Sequence, residues 1–169
     1  MANIHLIEGP VGAGKSTYAA KLSFEKRAVH IALDAWFSQL YSPDRPPGEF
    51  SPSWYIERKG RLLGVIWDHS CHLLDSGIDV ILELGLIQRD ERHRFYSLAE
   101  LSGFPITLHV LDAPRDTRLE RVQLRNIEQG ETFSMVVPDS VFDMASDLWE
   151  PPNEEECNKY HAVFINMGG

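Results

Sequence analysis

The 169-residue sequence is poor in cysteine, lacks long apolar runs and holds fewer basic than acidic residues. Cys71 and Cys157 are too few and too far apart to predict a disulfide framework or a metal-ligand pair. No apolar run approaches the roughly 20 residues that a membrane span needs, and the chain begins on a strand-like segment without a charged leader. We therefore expect a cytoplasmic protein without a membrane partner.

The charge balance argues against one class of partner. The chain has 16 Lys and Arg against 25 Asp and Glu, which gives a formal net charge of −9. A broad surface for a polyanion such as nucleic acid needs the opposite balance. Apolar residues make up 43% and charged residues 24% of the chain, as in globular proteins. The length predicts a single domain over residues 1–169.

A glycine-rich segment near the N-terminus carries the clearest motif. It reads GPVGAGKST, fits the pattern GxxxxGK[ST], and lies between the apolar run Ile4–Ile7 and a helix-like run. Glycines let backbone N–H groups approach phosphate oxygens closely, and a helix N-terminus favours an anion. The pattern predicts a P-loop that binds a purine nucleotide, against the alternative of a chance glycine-rich turn. Its residues are Gly9, Pro10, Val11, Gly12, Ala13, Gly14, Lys15, Ser16 and Thr17.

Individual roles within the P-loop follow from the motif. Lys15 is expected to reach the β- and γ-phosphates, and Thr17 to lie near the α-phosphate. The hydroxyl of Ser16 is expected to bind the Mg²⁺ ion that bridges those phosphates. The nucleotide site therefore predicts Mg²⁺ as a cofactor.

Strand-like and helix-like segments alternate along the chain. This alternation predicts an α/β fold of the P-loop type, a three-layer sandwich around a mainly parallel five-stranded sheet. The predicted strands span 4–7, 29–33, 78–83, 106–111 and 161–166, and the later helices span 54–76, 90–102, 114–129 and 138–148. Helix 90–102 is expected to bury Phe95, Leu98, Ala99 and Ser102. The proline-rich stretch 42–53 is predicted to be irregular, and the acidic stretch 150–156 to be a solvated loop.

Two predicted strands end on carboxylates. Asp34 follows the second strand and is the candidate that activates the phosphate acceptor, with the alternative that it caps a short turn. Glu83 ends the third strand and is a candidate for the Mg²⁺ site, with the alternative that it faces solvent. Both lie where a parallel sheet presents its ligand-binding edge.

Two side-chain groups could complete the site. Arg118, Arg121 and Arg125 share one face of helix 114–129, so they are expected to face phosphates. The alternative is a solvated basic face with local ion pairs. Aromatic residues around the proline-rich loop predict either part of an acceptor pocket or a hydrophobic cluster at the sheet edge. These aromatic residues are Trp36, Phe37, Tyr41, Trp54 and Tyr55.

The chain resembles a group of small P-loop kinases along nearly its whole length. The group includes the kinase part of polynucleotide kinase, chloramphenicol phosphotransferase, zeta-type toxins and uncharacterised bacterial ATP-binding proteins. The motifs that carry the resemblance are Gly9–Thr17, Ala32–Trp36, Leu84–Arg92, Leu111–Arg115, Arg118, Arg121, Arg125-Asn126, Gly130–Thr132 and Val137-Pro138.

The resemblance implies an ATP-dependent kinase that moves the γ-phosphate to a hydroxyl of an unidentified small molecule. It implies that Asp34 activates the acceptor and that Arg121 and Arg125 act with Lys15 in catalysis from a lid at about 115–137. Arg118 and Arg121 are expected to contact ATP.

The chain departs from polynucleotide kinases at two places. Phe37, Ser38 and Gln39 stand where those enzymes hold the acceptor phosphate with an arginine, and Gln129 stands where their lid often has another. A nucleic-acid acceptor is therefore disfavoured. A kinase of 5′-hydroxyl ends of nucleic acid and a regulatory protein that hydrolyses ATP slowly remain alternatives.

Overall fold

The computed structural model describes residues 1–48, 51–131 and 133–168. Strands and helices alternate along it, as the sequence predicts. The strands are β1 (Ile4–Glu8), β2 (Val29–Ala32), β3 (Val80–Glu83), β4 (Ile106–Asp112) and β5 (Val163–Asn166). The α-helices are α1 (Lys15–Lys26), α2 (Leu33–Leu40), α3 (Pro52–Asp75), α4 (Arg89–Ser102), α5 (Arg115–Glu128), α6 (Asp139–Leu148) and α7 (Glu154–Lys159).

The five strands form one sheet in the order β2-β3-β1-β4-β5. Every neighbouring pair is parallel, so the predicted fold class is confirmed and the sheet is wholly rather than mainly parallel. Strand β1 lies at the centre, where Leu6 is in register with Leu82 on one side and Leu108 on the other. All five residues of β1 are buried, the polar His5 and Glu8 as well as the three apolar residues, as expected of a central parallel strand covered on both faces.

Helices cover both faces of this sheet. Because side chains alternate along a strand, Ile4 and Leu6 point to one face, and Ile7 points to the other. Ile4 and Leu6 pack with residues of α2, α3 and α4, while Ile7 packs with Ala19 and Leu22 of α1. Within the described residues, no helix has both the length and the apolar character of a membrane span.

Glycines end two of the long helices, as predicted. Gly103 follows α4 with φ 76°, and its N–H donates to the carbonyl of Glu100. Gly77 follows the end of α3 with φ 80°, and its N–H donates to the carbonyl of Leu74. Both angles lie in the left-handed region, which costs glycine less than any other residue.

Two local expectations are wrong. Within the stretch 42–53, Ser42–Asp44 forms a short 3-10 helix and Pro52 begins α3, while residues 49 and 50 lie outside the described part of the chain. On α4, Leu98 is 44% exposed, and Arg92 and Tyr96 are buried beside Phe95 and Ala99. The helical spacing of apolar residues cannot identify a buried arginine, because its partner comes from a distant segment.

That partner lies in the stretch expected to be a solvated acidic loop. Glu156 belongs to α7 and is only 3% exposed. Arg92 Nε donates to Glu156 Oε1 at 2.7 Å, and Nη2 donates to Oε2 at 3.2 Å. Asn153 caps α7 by accepting the N–H of Glu156 at 2.9 Å. The solvated-loop expectation is therefore wrong for Glu156, because a buried guanidinium neutralises its charge.

Replacing Arg92 with methionine should lower the free energy of unfolding by about 3–5 kcal/mol, because the Glu156 carboxylate would stay buried without its charge partner. Urea denaturation measures the change. Arg115→Met is the matched control, since the Arg115 side chain is 45% exposed and its pairs with Asp143 and Asp147 lie at the surface. The control should change stability little. Equal losses in both variants would contradict the importance of the buried pair.

Candidate functional site

The predicted P-loop connects the buried end of β1 to the first turn of α1. Ala13 N–H donates to the carbonyl of Pro10 at 3.1 Å, which closes a turn within the loop. Gly12 and Gly14 have φ angles of 79° and 91°, in the left-handed region. Gly14 is the N-cap of α1, and the first turn of that helix contains no acidic residue. The N–H groups at this helix end therefore form a seat for an anion.

Lys15 folds its ammonium group back onto the P-loop. Its Nζ donates to the carbonyls of Gly9 at 2.8 Å and Pro10 at 3.0 Å. Burial lowers the pKa of Lys15, and the carboxylates of Glu83, Glu8 and Asp34 oppose that shift. The three carboxylates and the lysine therefore belong to one electrostatic cluster at the carboxyl edge of the sheet.

Ser16 and Glu83 meet across the space between α1 and β3. Ser16 Oγ lies 2.6 Å from Glu83 Oε1 and 2.9 Å from Oε2, and its hydroxyl donates to this carboxylate. Glu83 is 9% exposed, so its carboxylate is not the solvent-facing charge of the alternative interpretation. A hydroxyl beside a carboxylate supplies the oxygen ligands that Mg²⁺ prefers. These residues fit a Mg²⁺ site beside the P-loop, while Thr17 is exposed one position along the helix.

Asp34 does not directly follow a strand, because β2 ends one residue earlier than the predicted strand 29–33. Strand β2 stops at Ala32, and Asp34 is the second residue of α2, exposed to solvent. Ala32 is the N-cap of this helix, and among the described residues no side chain makes a capping hydrogen bond there. The capping alternative is therefore wrong. The acceptor-activating role of Asp34 stays a prediction.

Arg118 is bound to the P-loop itself. The residue is 7% exposed, and its Nη1 donates to the carbonyl of Val11 at 2.9 Å and to Ser146 Oγ at 3.1 Å. Its Nε donates to the carbonyl of Ala113 at 3.0 Å. The guanidinium thus holds the backbone of the nucleotide loop, and its expected direct contact with ATP stays a prediction.

Arg121 and Arg125 have donors that remain unsatisfied. Arg121 Nη2 donates to the carbonyl of Met167, just after β5. Within the described residues, the buried Arg121 Nη1 and Arg125 Nε have no hydrogen-bond partner. No salt bridge joins these two arginines or Arg118 to an acidic side chain in that part of the chain. The alternative of a basic face with local ion pairs is therefore not what the structure shows.

The segment after α5 is tied back by one amide. Asn126 Nδ2 donates to the carbonyl of Val137 at 2.7 Å, and the Val137 N–H donates to Asn126 Oδ1 at 3.0 Å. These two hydrogen bonds hold Val137, just before α6, against the end of α5. Thr132, part of the motif in this segment, lies outside the described residues.

The aromatic residues near Asp34 pack together. The ring centroid of Phe37 lies 5.0 Å from Tyr55, 5.2 Å from Tyr41 and 5.9 Å from Trp54. Trp36 packs partly buried against the same core. These contacts match the predicted hydrophobic cluster. That the same aromatic residues also form part of the acceptor pocket stays a prediction.

Sequence reasoning missed Glu8, the last residue of β1. It is 1% exposed, and its Oε1 has no hydrogen-bond partner within the described residues. Burial raises the pKa of Glu8 to about 8, against the opposing effects of the cations Arg92, Lys15 and Lys59. The signal was the one that identified Glu83, a carboxylate that ends an apolar strand. The predicted strand 4–7 ends one residue before Glu8, whereas β1 includes it.

Comparison with known proteins identifies the family. A family model described as AAA domain, AAA_33, matches residues 4–152, which is most of the chain. The chain belongs to the AAA_33 family. No curated protein matches this AAA_33 chain.

Solved structures share the fold of the AAA_33 chain. A candidate kinase from Chloroflexus aurantiacus has a TM-score of 0.73 at 14% identity, with 99% of this chain and 89% of that chain covered. Kti12 from Chaetomium thermophilum, solved with ADP-AlF3, has a TM-score of 0.69 at 18% identity, with 96% and 88% covered. A gluconokinase from Sinorhizobium meliloti has a TM-score of 0.65 at 17% identity, with 99% and 83% covered. With the family match, these likenesses confirm the resemblance to small P-loop kinases, and at such identities each shows the fold alone.

Gly12→Ala should weaken nucleotide binding and lower the free energy of unfolding by about 1 kcal/mol or more, the cost of a left-handed residue with a side chain. An added Cβ would also lie 2.6 Å from the carbonyl oxygen of Arg118. Calorimetric ATP titration and thermal unfolding measure both effects.

Gly64→Ala is the matched control for this substitution. A Cβ at Gly64, within α3, meets no atom within 4 Å, so this variant should keep ATP affinity and gain about 0.5–1 kcal/mol of stability. Equal ATP affinity in the two variants would contradict the tight contact between the P-loop and α5.

Proposed function

We propose that this AAA_33 protein is a kinase that uses ATP and Mg²⁺ to phosphorylate a hydroxyl group of a small molecule. The observation that carries the proposal is the cluster of P-loop lysine, Ser16–Glu83 pair and Asp34 at one edge of a parallel sheet. Loops at this edge bind ligands in open α/β folds. The fold likeness to a gluconokinase supports the kinase class, and the likeness to Kti12, solved with ADP-AlF3, supports nucleotide binding.

ATP would bind with its phosphates on the P-loop and the first turn of α1. Lys15 would exchange the carbonyls of Gly9 and Pro10 for phosphate oxygens, so that its charge compensates the donor. Ser16 and Glu83 would hold Mg²⁺, which neutralises phosphate charge and orients the phosphates when bound. Arg118 would keep the loop in its binding shape.

Transfer requires an acceptor hydroxyl aligned with the γ-phosphate. Asp34 would accept the proton of that hydroxyl while the oxygen bonds to phosphorus and the bond to the β-phosphate oxygen breaks, leaving ADP. Arg121 and Arg125 would donate their unsatisfied N–H groups to oxygens that gain charge during transfer.

A small acceptor suits the charge distribution better than a nucleic-acid strand. The chain carries a formal charge of −9, and within its arginine stripe Arg118 is bound to the P-loop, while we assign Arg121 and Arg125 to the phosphates of ATP. A strand needs a continuous basic groove along several phosphates. Efficient labelling of oligonucleotide 5′-hydroxyl ends, together with salt-dependent micromolar binding, would overturn this part of the proposal.

Asp34→Asn should lower phosphate transfer by about 10²–10⁴-fold and leave ATP affinity unchanged, because the amide cannot accept the acceptor proton. A screen of hydroxyl compounds for stimulated ATP consumption supplies the acceptor for this measurement. Lys15→Ala is the contrasting variant, and it should lose most ATP affinity. Wild-type transfer by Asp34→Asn would remove Asp34 from the mechanism.

Arg121→Ala and Arg125→Ala should reduce turnover far more than stability. Both guanidinium groups carry donors without partners, so their removal costs the folded state few hydrogen bonds. Turnover and melting temperature are measured on the same preparations. A large drop in melting temperature with normal turnover would assign the arginines a structural role instead.

A further inference from the structure

Glu8 faces the opposite side of the sheet from the Ser16–Glu83 pair. Alternation along β1 places Glu8 on the face of Ile4 and Leu6, which α2, α3 and α4 cover. Glu83 instead meets Ser16 of α1, on the other face. The two carboxylates therefore lie on different faces of the sheet, and Glu8 is on the face covered by α2, whose second residue is Asp34.

One face of α3 connects the surroundings of Glu8 with those of Asp34. Tyr55 and Lys59 lie one turn apart on this helix, so they share a face. The charge of Asp34 acts on Tyr55, whose pKa is raised chiefly by burial. The charge of Lys59 acts on Glu8, and Lys59 Nζ donates to the carbonyl of Gly85 at 3.1 Å. Asp34 and Glu8 are thus each coupled electrostatically to a residue on this face of α3.

Hydrogen bonds within the protein do not account for the Glu8 carboxyl group, although the charge of the buried Arg92 guanidinium acts on it. Its Oε1 is buried with no hydrogen-bond partner in the described part of the chain, and a buried polar group in that state destabilises a fold. Ile4 and Leu6 fill the equivalent positions on the same strand face with apolar side chains. An unpartnered oxygen at the end of the central strand, directly before the P-loop, is placed to meet a ligand.

We propose that Glu8 hydrogen-bonds a hydroxyl of the acceptor, and that the acceptor is a neutral compound with at least two hydroxyl groups. The inference rests on the proposed function, since Asp34 then orients a second hydroxyl for phosphorylation. The cations that act on the charge of Glu8 already have partners or another role, which disfavours an anionic acceptor at this carboxyl group. Lys59 lies 3.5 Å from the carboxylate of Glu91, Arg92 is paired with Glu156, and Lys15 serves the nucleotide.

Access to Glu8 follows from the same contacts. Lys59 bonds to the Gly85 carbonyl and pairs with Glu91, and its side chain is 14% exposed. The acceptor would reach Glu8 by displacing the Lys59 ammonium group from the Gly85 carbonyl. Acceptor selection therefore takes place between α3 and the end of β1.

The test is a calorimetric titration of the full chain with neutral hexoses, sugar alcohols, cyclitols and nucleosides, and with matched sugar acids and sugar phosphates. It is run with and without Mg²⁺ and a non-hydrolysable ATP analogue. A neutral polyol should bind the wild type. Glu8→Gln should weaken that polyol by about tenfold or more and leave the affinity for the ATP analogue unchanged.

Glu156→Gln is the matched control, because it makes the same change at a buried carboxylate that has a partner. It should lose stability and keep both affinities. Failure of every neutral polyol to bind, preference for the sugar acids or phosphates, or an unchanged polyol affinity in Glu8→Gln would overturn the proposal. Polyol binding without phosphate transfer would refute the kinase function and leave the Glu8 site standing.

Thermal unfolding against pH separates this role from a structural one. The charged groups that act on Glu8 are Lys15 of α1, Lys59 of α3, Arg92 of α4 and Glu156 of α7. Because burial raises the folded-state pKa from 4.5 to about 8, the wild type should lose stability as pH rises through that interval. Glu8→Gln should lack this loss and melt higher than the wild type at pH about 8. A lower melting temperature for Glu8→Gln at that pH would show a structural carboxylate and overturn the proposal.

Discussion

The hydrogen bond from Arg118 to the P-loop is the constraint on which the site geometry depends. It joins the Val11 carbonyl in the loop to α5, and a second bond, to Ala113, fixes the start of that helix. The backbones approach so closely here that Gly12 has no room for a side chain. With this contact in place, Arg121 and Arg125 lie one and two turns farther along the same helix face. Arg118 thus donates to the protein backbone, whereas Arg121 and Arg125 have N–H groups without a partner among the described residues.

Two other cations near the site are paired with carboxylates of the protein. Arg92 and Lys59 lie against the carboxylates of Glu156 and Glu91. Such pairs leave little unpaired positive charge next to Glu8, and Lys15, Arg121 and Arg125 are the cations that we assign to the nucleotide. A chain with a net charge of −9 can therefore bind a polyanionic nucleotide without a basic surface.

Local patterns predicted most of the fold and the P-loop half of the site. Apolar runs identified the strands, and Gly77 and Gly103 marked helix ends, because backbone conformation at those positions depends on the residue itself. Contacts between distant segments were beyond such patterns. Asp34 was placed at a strand end because periodicity does not show that α2 begins at once after β2. The burial of Arg92 depends on a residue 64 positions away, which no helical spacing on α4 reveals.

Glu156 and Glu8 are both buried on the same side of the sheet, but they differ in their hydrogen bonds and in the direction of their pKa shifts. Glu156 accepts hydrogen bonds from Arg92 and Tyr96 and from the backbone N–H of Asn153, and these bonds lower its pKa although burial alone would raise it. Glu8 has a similar exposure, but burial dominates and its pKa rises to about 8. The first carboxylate stabilises the fold in its charged form, and the second destabilises it. Burial of the Glu8 carboxyl group lowers the stability of the folded protein, and no hydrogen bond to Oε1 among the described residues compensates for it. A pre-organised ligand site has this property, because the ligand supplies the missing hydrogen-bond partner when it binds.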